Sequence, residues 1–356
     1  MKPSNVIPIL ILICLLSGSL SAQPLRIGLG SCGHQDHELK TLQLASEEKP
    51  DLFIFLGDNV YADTKDLSKM KESYAKLANK PSFQALKKVS RLLAVWDDHD
   101  YGWNDSGRHY ELKEQSKEVF LDFWNEPTQS TRRSHKGIYH AEWIEHQGKK
   151  IQILLLDART FRDDLRRWPK DKPRPKQYFY SLDYEPYTNA DSTLLGDMQW
   201  KWLEEQFMQA ADLRIICSST QFGVEFNGYE AWANFPLEQQ KMFDLIKKTR
   251  AEGVLFLSGD VHYAELSMQK HPDVYPIYDL TASGLSMDWY FATPNTYRIE
   301  GPVMTNHFGL LSIDFLNKNK EIRMEVIDVR GNSRFDYSFP LSELSFSSVR
   351  EKKSEK

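Results

Sequence analysis

Leu52-Phe53-Ile54-Phe55-Leu56-Gly57-Asp58-Asn59-Val60-Tyr61 is the stretch that decides the fold. Its first five residues form an unbroken apolar run, which reads as a strand buried on both faces. Gly57 then lets the backbone turn tightly. Asp58 and Tyr61 follow at the carboxyl end of that strand, spaced so that both can face one point. Runs of the same kind lie at Leu25 to Leu29, Leu92 to Trp96, Ile151 to Leu156, Ile215 to Cys217 and Val254 to Leu257. Between them, apolar positions three and four apart predict helices, through Val119, Phe120, Phe123 and Trp124 and through Leu195, Met198, Trp202 and Leu203. Strands alternating with helices imply an α/β fold whose sheet is covered on both faces. Later runs at Ile277 to Leu280, Leu310 to Phe315 and Ile322 to Val329 come without long helical intervals and predict an antiparallel portion.

The chemistry-bearing residues sit where the strands end. Leu29 leads to Gly30-Ser31-Cys32, Trp96 to Asp97-Asp98-His99-Asp100, Leu156 to Asp157-Ala158-Arg159, and Leu257 to Ser258-Gly259-Asp260-Val261-His262. Open α/β sheets bind ligands at that edge. Three carboxylates within Asp97 to Asp100 cannot all ionise unaided, so a cation is the simplest partner, against a solvated acidic turn as the alternative. Asp260 and His262, two apart in an extended loop, point to one side and are ordinary ligands for hard or borderline metals. Cys32 reads either as a small buried hydrophobe or as a thiolate ligand. Arg159 reads either as a surface ion pair or as a clamp on phosphate oxygens.

In this order and context the residues resemble the alkaline phosphatase D-like members of the metallophosphoesterase superfamily. The resemblance rests on Gly30-Ser31-Cys32, on Pro50 through Asp63, on Trp96-Asp97-Asp98-His99-Asp100-Tyr101-Gly102 and on Ser258-Gly259-Asp260-Val261-His262. It continues in Leu156 to Arg159, Leu195 to Leu203 and Ser218-Ser219-Thr220-Gln221. It implies a four-layer α-β-β-α sandwich of two mixed sheets, a phosphate mono- or diester as substrate, and Fe³⁺ and Ca²⁺ as metals, with other divalent cations as alternatives. By the same resemblance Cys32, Asp58, Tyr61 and His262 surround the iron, Asp58 bridges, and Asp98, Asp260 and Asp97 face calcium. His99 is then the general acid/base, Arg159 the phosphate clamp, and Asn59 and Gln221 further substrate contacts. Two departures stand out: only a leader precedes the catalytic domain, where members often carry an extra β-sandwich, and no Asn follows the first cysteine motif in Gly33-His34-Gln35.

Lys2, the apolar run Val6 to Leu16 and the small residues up to Ala22 read as a signal peptide over residues 1–22, too short for a membrane span. The expected location is therefore secreted or periplasmic. The 334 residues left when 22 are taken from 356 suit one domain, assigned here to 23–344, and residues 345–356 read as a polar, charged, frayed tail. A formal charge of -5 gives no footprint for nucleic acid, although Arg162, Arg166, Arg167, Lys170, Lys172, Arg174 and Lys176 form a local basic strip. That strip keeps a secreted nuclease as an alternative, beside an inactive calcium-dependent binding protein. Cys32 and Cys217 are the two cysteines beyond the leader, and a disulfide between them is a further alternative to ligation. The aromatic residues Tyr178, Phe179, Tyr180, Tyr184, Tyr187 and Trp232 either wall a substrate pocket or pack over the sheet.

Overall fold

The structure, a computed structural model, describes residues 23–349. The predicted leader lies outside the described residues, as does the end of the predicted tail. The first half of the chain forms β1 (Leu25–Gly30), α1 (Lys40–Glu47), β2 (Leu52–Leu56), α2 (Leu67–Ala78), α3 (Pro81–Val89), β3 (Arg91–Val95), the single turn α4 (Asp98–Tyr101), α5 (Lys113–Phe123), α6 (Thr131–Ser134), β4 (His140–His146) and β5 (Lys149–Leu155). The short strands β6 (Arg166–Arg167) and β7 (Tyr184–Glu185) follow, then α7 (Gly196–Phe207), β8 (Leu213–Ser218), α8 (Pro236–Thr249) and β9 (Val254–Ser258). The chain then continues through β10 (Ala264–His271), β11 (Val274–Ala282), β12 (Arg298–Val303), β13 (His307–Asp314), β14 (Glu321–Asp328) and β15 (Ser333–Pro340).

Two mixed sheets result. One has the order β15-β14-β13-β1-β2-β3 and the other β12-β10-β11-β9-β8-β5-β4. β1, β2 and β3 run parallel in the first, and β5, β8, β9 and β11 in the second. Antiparallel strands flank each parallel block. β11 packs on β13, so the sheets meet face to face, with α1 against β13 on one outside and α8 against β11 on the other. The sheet seam is tight: a Cβ on Gly309 would stand 2.8 Å from Leu29 Cγ and 3.1 Å from Ala282 Cβ. The four-layer sandwich expected from the sequence is thus the observed architecture.

Burial explains which runs became strands. β2, β8, β9 and β11 are buried along their whole length, as the apolar runs in them require, with the buried polar residues Arg214 and Asp279 hydrogen-bonded. In α7 the buried face is Gln199, Trp200, Leu203 and Phe207, while Met198 is half exposed. The expected helix is present there but turned, because Gln199 faces inward to bond the backbone of Asp157, donating to its carbonyl and accepting from its N–H, both at 2.8 Å. The predicted fraying from Ser345 also fails at its start: Phe346 is 4% exposed, lies 5.3 Å from the Tyr275 ring, and takes the Arg250 guanidinium 3.5 Å above its face. Cys32 and Cys217 are both free and buried, so the disulfide alternative is overturned. Cys217 is a β8 core residue with only burial acting on it, which pushes its thiol above the usual range.

His307, at the start of β13, is fully buried, with Nδ1 2.8 Å from the Thr305 carbonyl and its ring where a Cβ on Gly284 would fall. Burial pushes its pKa down to about 4. The neutral ring therefore stabilises the fold above the unfolded-state pKa near 6.5, and that contribution is lost as pH falls from there toward 4. Between pH 7 and pH 5 the loss amounts to about 2 kcal/mol. Urea unfolding at the two pH values checks this: His307→Gln removes that part of the pH dependence, and equal slopes in wild type and variant refute it.

Candidate active site

The parallel strands of both sheets point their carboxyl ends at one region, and the loops leaving them are tied to each other. Cys32 N–H donates to the Gly57 carbonyl at 3.3 Å, Gly33 N–H to Asp58 at 3.1 Å, Ala62 N–H to His99 at 3.1 Å, and Gly259 N–H to Ser219 at 3.2 Å. The turns are cramped enough to require glycine at two points. Gly57 has φ +100°, and a Cβ there would lie 2.6 Å from Asp97 Cβ; one on Gly259 would lie 2.6 Å from Ser31 Oγ. Six of the eleven non-glycine residues with positive φ among the described residues belong to these loops: Cys32, Asp58, Asp63, Asp105, Asp260 and His262. Such backbone is strained, and it persists because the sheets and the loop-to-loop bonds hold it.

The strain aims side chains inward. Cys32 Sγ, a carboxylate oxygen of Asp58 and a ring nitrogen of His262 lie within 4.8 Å of one another. Tyr61 Oη joins them, 3.3 Å from Asp58 Oδ2 and 3.1 Å from His262 Nε2. Burial pushes the Cys32 thiol up to about 12 and the Tyr61 phenol well above its usual range. It also holds His262 neutral, with a pKa of about 4. Asp58 is raised well above the carboxylate range by burial and then by Cys32 and Asp98.

A second cluster shares Asp58. Its carboxylate, that of Asp98 and a ring nitrogen of His99 again lie within 4.8 Å. Asp98 accepts a 2.6 Å bond from the Asp105 N–H through Oδ2, while its buried Oδ1 has no hydrogen-bond partner. Burial disfavours its charge, but Arg159 and His99 outweigh that and bring its pKa to about 2. His99 is oriented by Asp63, whose carboxylate is 2.8 Å from Nδ1. Burial alone would lower the His99 pKa, yet Asp63 and Asp98 raise it to about 9. Asp98, Asp105 and Glu230 form a third acidic group, in which burial and the neighbouring carboxylates push Asp105 up to about 7. All these carboxylates except Asp63 line one cavity of about 460 Å³ together with His99, His262 and Asp260.

The PhoD-like phosphatase family profile matches residues 28–336. This chain belongs to that family. Alkaline phosphatase D of Bacillus subtilis (strain 168) is 22% identical over 282 residues, 65% of this chain and 45% of that protein. The chain thus spans about half the length of the curated relative it matches. Among solved structures, PhoD superposes with a TM-score of 0.71 at 14% identity, covering 91% of this chain and 71% of the other. GAP50, described as the anchor in the inner membrane complex of Plasmodium, gives 0.53 at 12% identity, covering 93% and 94%. A dimetal phosphatase from Danio rerio gives 0.51 at 13% identity, covering 90% and 100%. At these identities the likenesses establish the fold.

Within this PhoD-like chain the sequence-predicted residues divide. Cys32, Asp58, Tyr61, Asp98, His99 and His262 meet as described. Asp260 reaches the same cavity, and its carbonyl lies 3.6 Å from Cys32 Sγ, but the loop carrying it is left-handed rather than extended. Four assignments do not match the geometry. Arg159, expected to clamp phosphate, has 0% side-chain exposure and lines no part of the cavity; its Nε donates to Asp97 at 2.6 Å and its Nη1 to Glu230 at 2.9 Å. Asp97 gives Oδ1 to Arg159, its buried Oδ2 has no hydrogen-bond partner, and it is absent from the metal-capable groups among the described residues. Asn59 gives its amide to the Val95 carbonyl at 2.9 Å and to Asp100, because it sits under the loop and not over the cavity. Gln221 is fully buried and donates to Glu265 and Thr281, both at 3.0 Å.

Asp63, Asp105, Glu230 and Arg162 join the site without being expected there. Asp63 lies five residues after Asp58, and a carboxylate beside a reactive histidine is a recurring pairing; the others carry no local signal. Arg162, counted in the basic strip, is buried with Nε 3.1 Å from Glu230. Of the aromatic residues, Tyr180 and Tyr184 line the cavity, whereas Trp232 packs on Phe222 in the core and Tyr187 stacks on Phe235.

A buried counterion and a phosphate clamp predict different phenotypes for Arg159→Ala. Removing the counterion leaves Asp97 and Glu230 uncompensated in the interior, at about 3 to 5 kcal/mol of stability. Denaturant unfolding should register that loss; a variant with wild-type stability and only a raised KM would restore the clamp.

Proposed function

We propose that this chain is an exported, metal-dependent phosphoesterase that hydrolyses phosphate mono- or diesters. The observation that carries the reading is the meeting of Cys32, Asp58, Tyr61 and His262 in one cluster and Asp58, Asp98 and His99 in the next, on one cavity. The residues fit cations. Asp98 Oδ1 is buried without a hydrogen bond, and burial raises Asp58 and Asp260, so the interior accommodates their ionised forms only with an added positive charge. Thiolate, phenolate, carboxylate and imidazole suit a transition ion, for which we assign Fe³⁺ at Cys32, Asp58, Tyr61 and His262. The oxygen-rich side, with Asp98 and Asp260, suits Ca²⁺. Two such cations supply an acidified water and charge neutralisation on the phosphate oxygens.

The chain's own residues do the rest. Asp58 is shared by both clusters and fixes their separation. Asp63 holds His99 by Nδ1, and its carboxylate favours the protonated imidazole, able to donate to the departing ester oxygen. Burial holds His262 neutral, as a ligand must be. Export is supported by the leader-like residues 1–22. In the described residues no helix is long and apolar enough to cross a membrane. A polynucleotide substrate is not favoured, since Arg166 and Lys172 are paired with Glu185 and Arg162 is buried.

Asp58→Asn should lose metal and turnover of p-nitrophenyl phosphate together, as elemental analysis and rate measurement will register. His99→Ala should retain metal while the rate falls on the order of 10² to 10⁴. Parallel loss of metal and rate in His99→Ala would make that residue a ligand instead, and a metal-loaded wild type that turns over no phosphate ester would make the protein a binder. A visible charge-transfer band, lost in Tyr61→Phe, tests the ferric assignment.

A further inference from the structure

The cavity extends beyond the metal-capable floor, and its outer part has a chemistry of its own. Tyr180 and Tyr229 stack at 5.8 Å between centroids, and Trp289 and Tyr290 lie 5.0 Å apart on the same lining. Trp289 reaches the floor through an edge contact of 5.9 Å with the His262 ring, so the aromatic wall and the reaction centre are continuous. The wall is partly wet: Tyr290 is 79% exposed and Trp289 39%. Tyr180 is fixed by a 2.8 Å bond to the Asn227 carbonyl, so its face is presented rigidly. The charge is one-sided. Among the described residues no lysine or arginine lines the cavity, and beyond the floor and the arginine-paired Glu230 its acidic residues are Asp105 and the exposed Asp183 at the rim.

We propose that the ester this site takes carries a fixed positive charge on its leaving alcohol, a quaternary alkylammonium alcohol such as choline. The inference rests on the phosphoesterase reading and narrows it. An anionic leaving group would meet Asp183 and the ring faces with no cation on the lining to pair with, Arg167 beside it lying over the Tyr184 ring at 4.6 Å. A neutral one would gain contact area but leave Asp183 unused. A quaternary ammonium is attracted by the negative faces of Tyr and Trp rings and by a nearby carboxylate, and it needs no hydrogen-bond acceptor. In the reaction the oxygen of water bonds to phosphorus, the P–O bond to the alcohol breaks, the alcohol leaves with the proton that His99 supplies, and one proton of the attacking water passes to solvent, from which His99 is reprotonated. The products are the cationic alcohol and phosphate.

The test compares phosphocholine with 3,3-dimethylbutyl phosphate, an uncharged ester of nearly the same shape, on the metal-loaded protein, reading phosphate release. The expected kcat/KM ratio favours phosphocholine on the order of tenfold, as cation–π attraction in a partly dry site allows. The ratio should fall toward one in Tyr229→Leu and in Asp183→Asn. A ratio near one in wild type, or one that survives both substitutions, overturns this inference while turnover of p-nitrophenyl phosphate keeps the phosphoesterase reading. Absence of turnover with every ester overturns the reading and this inference with it.

Discussion

The constraint on which this structure depends is negative charge held away from water. Asp58, Asp97, Asp98, Asp100 and Glu230 are all buried within the loops at the carboxyl ends of two sheets. The chain answers part of that charge with Arg159 and Arg162, which pair with Asp97 and Glu230 from behind the cavity. It answers another part with hydrogen bonds, Asp100 accepting from the Asp97 N–H at 2.7 Å and from Tyr74 at 3.2 Å. What is left over faces the cavity, where Asp58, Asp98 and Asp260 stand beside a thiol, a phenol and two imidazoles. Buried charge of this kind is stable only when paired. The proposed cations thus complete the compensation the arginines begin, and the same ions are what a phosphoesterase needs.

The loops that carry this charge are braced against one another. Backbone bonds run from loop to loop, and Gly57 and Gly259 admit neighbours that no side chain could. The left-handed residues at Cys32, Asp58, Asp260 and His262 are unfavourable locally. They are held by sheets whose central strands are buried throughout, so the packing of the sandwich supports the strain at its edge. Asp157 shows the same economy at a purely structural position. Its carboxylate, fully buried, accepts bonds from Trp96, Ile138, Arg159 and Thr160 and so fastens the end of β5 to its neighbours.

Much of this was legible in the sequence because two signals coincide. β2 is an unbroken apolar run with the predicted limits, and β1 and β9 differ from the expected runs by one residue, because central parallel strands leave no polar face to confuse the pattern; the edge strand β3 is shifted by one residue and starts on the exposed Arg91. Cys32, Asp58, Tyr61, Asp98, His99 and His262 were legible because each follows such a strand. What escaped was direction. Nothing local states that the Arg159 guanidinium turns inward to Asp97, that Asn59 sits under its loop, or that Gln221 bonds Glu265 across the sheet. Each depends on a partner tens of residues away. Glu230 is invisible for the same reason: its task exists only after Arg159 and Arg162 have been buried beside it.

The central claim is that the cavity floor binds cations in place of protons. Titrating Mn²⁺ into chelator-stripped protein by calorimetry, at neutral pH in buffers of different ionisation enthalpy, measures binding and the protons released with it. The account predicts saturable binding accompanied by net proton release, because burial keeps groups such as Asp58 and Cys32 protonated until a cation replaces the proton. Heat that does not depend on the buffer, or no binding at all, would contradict it.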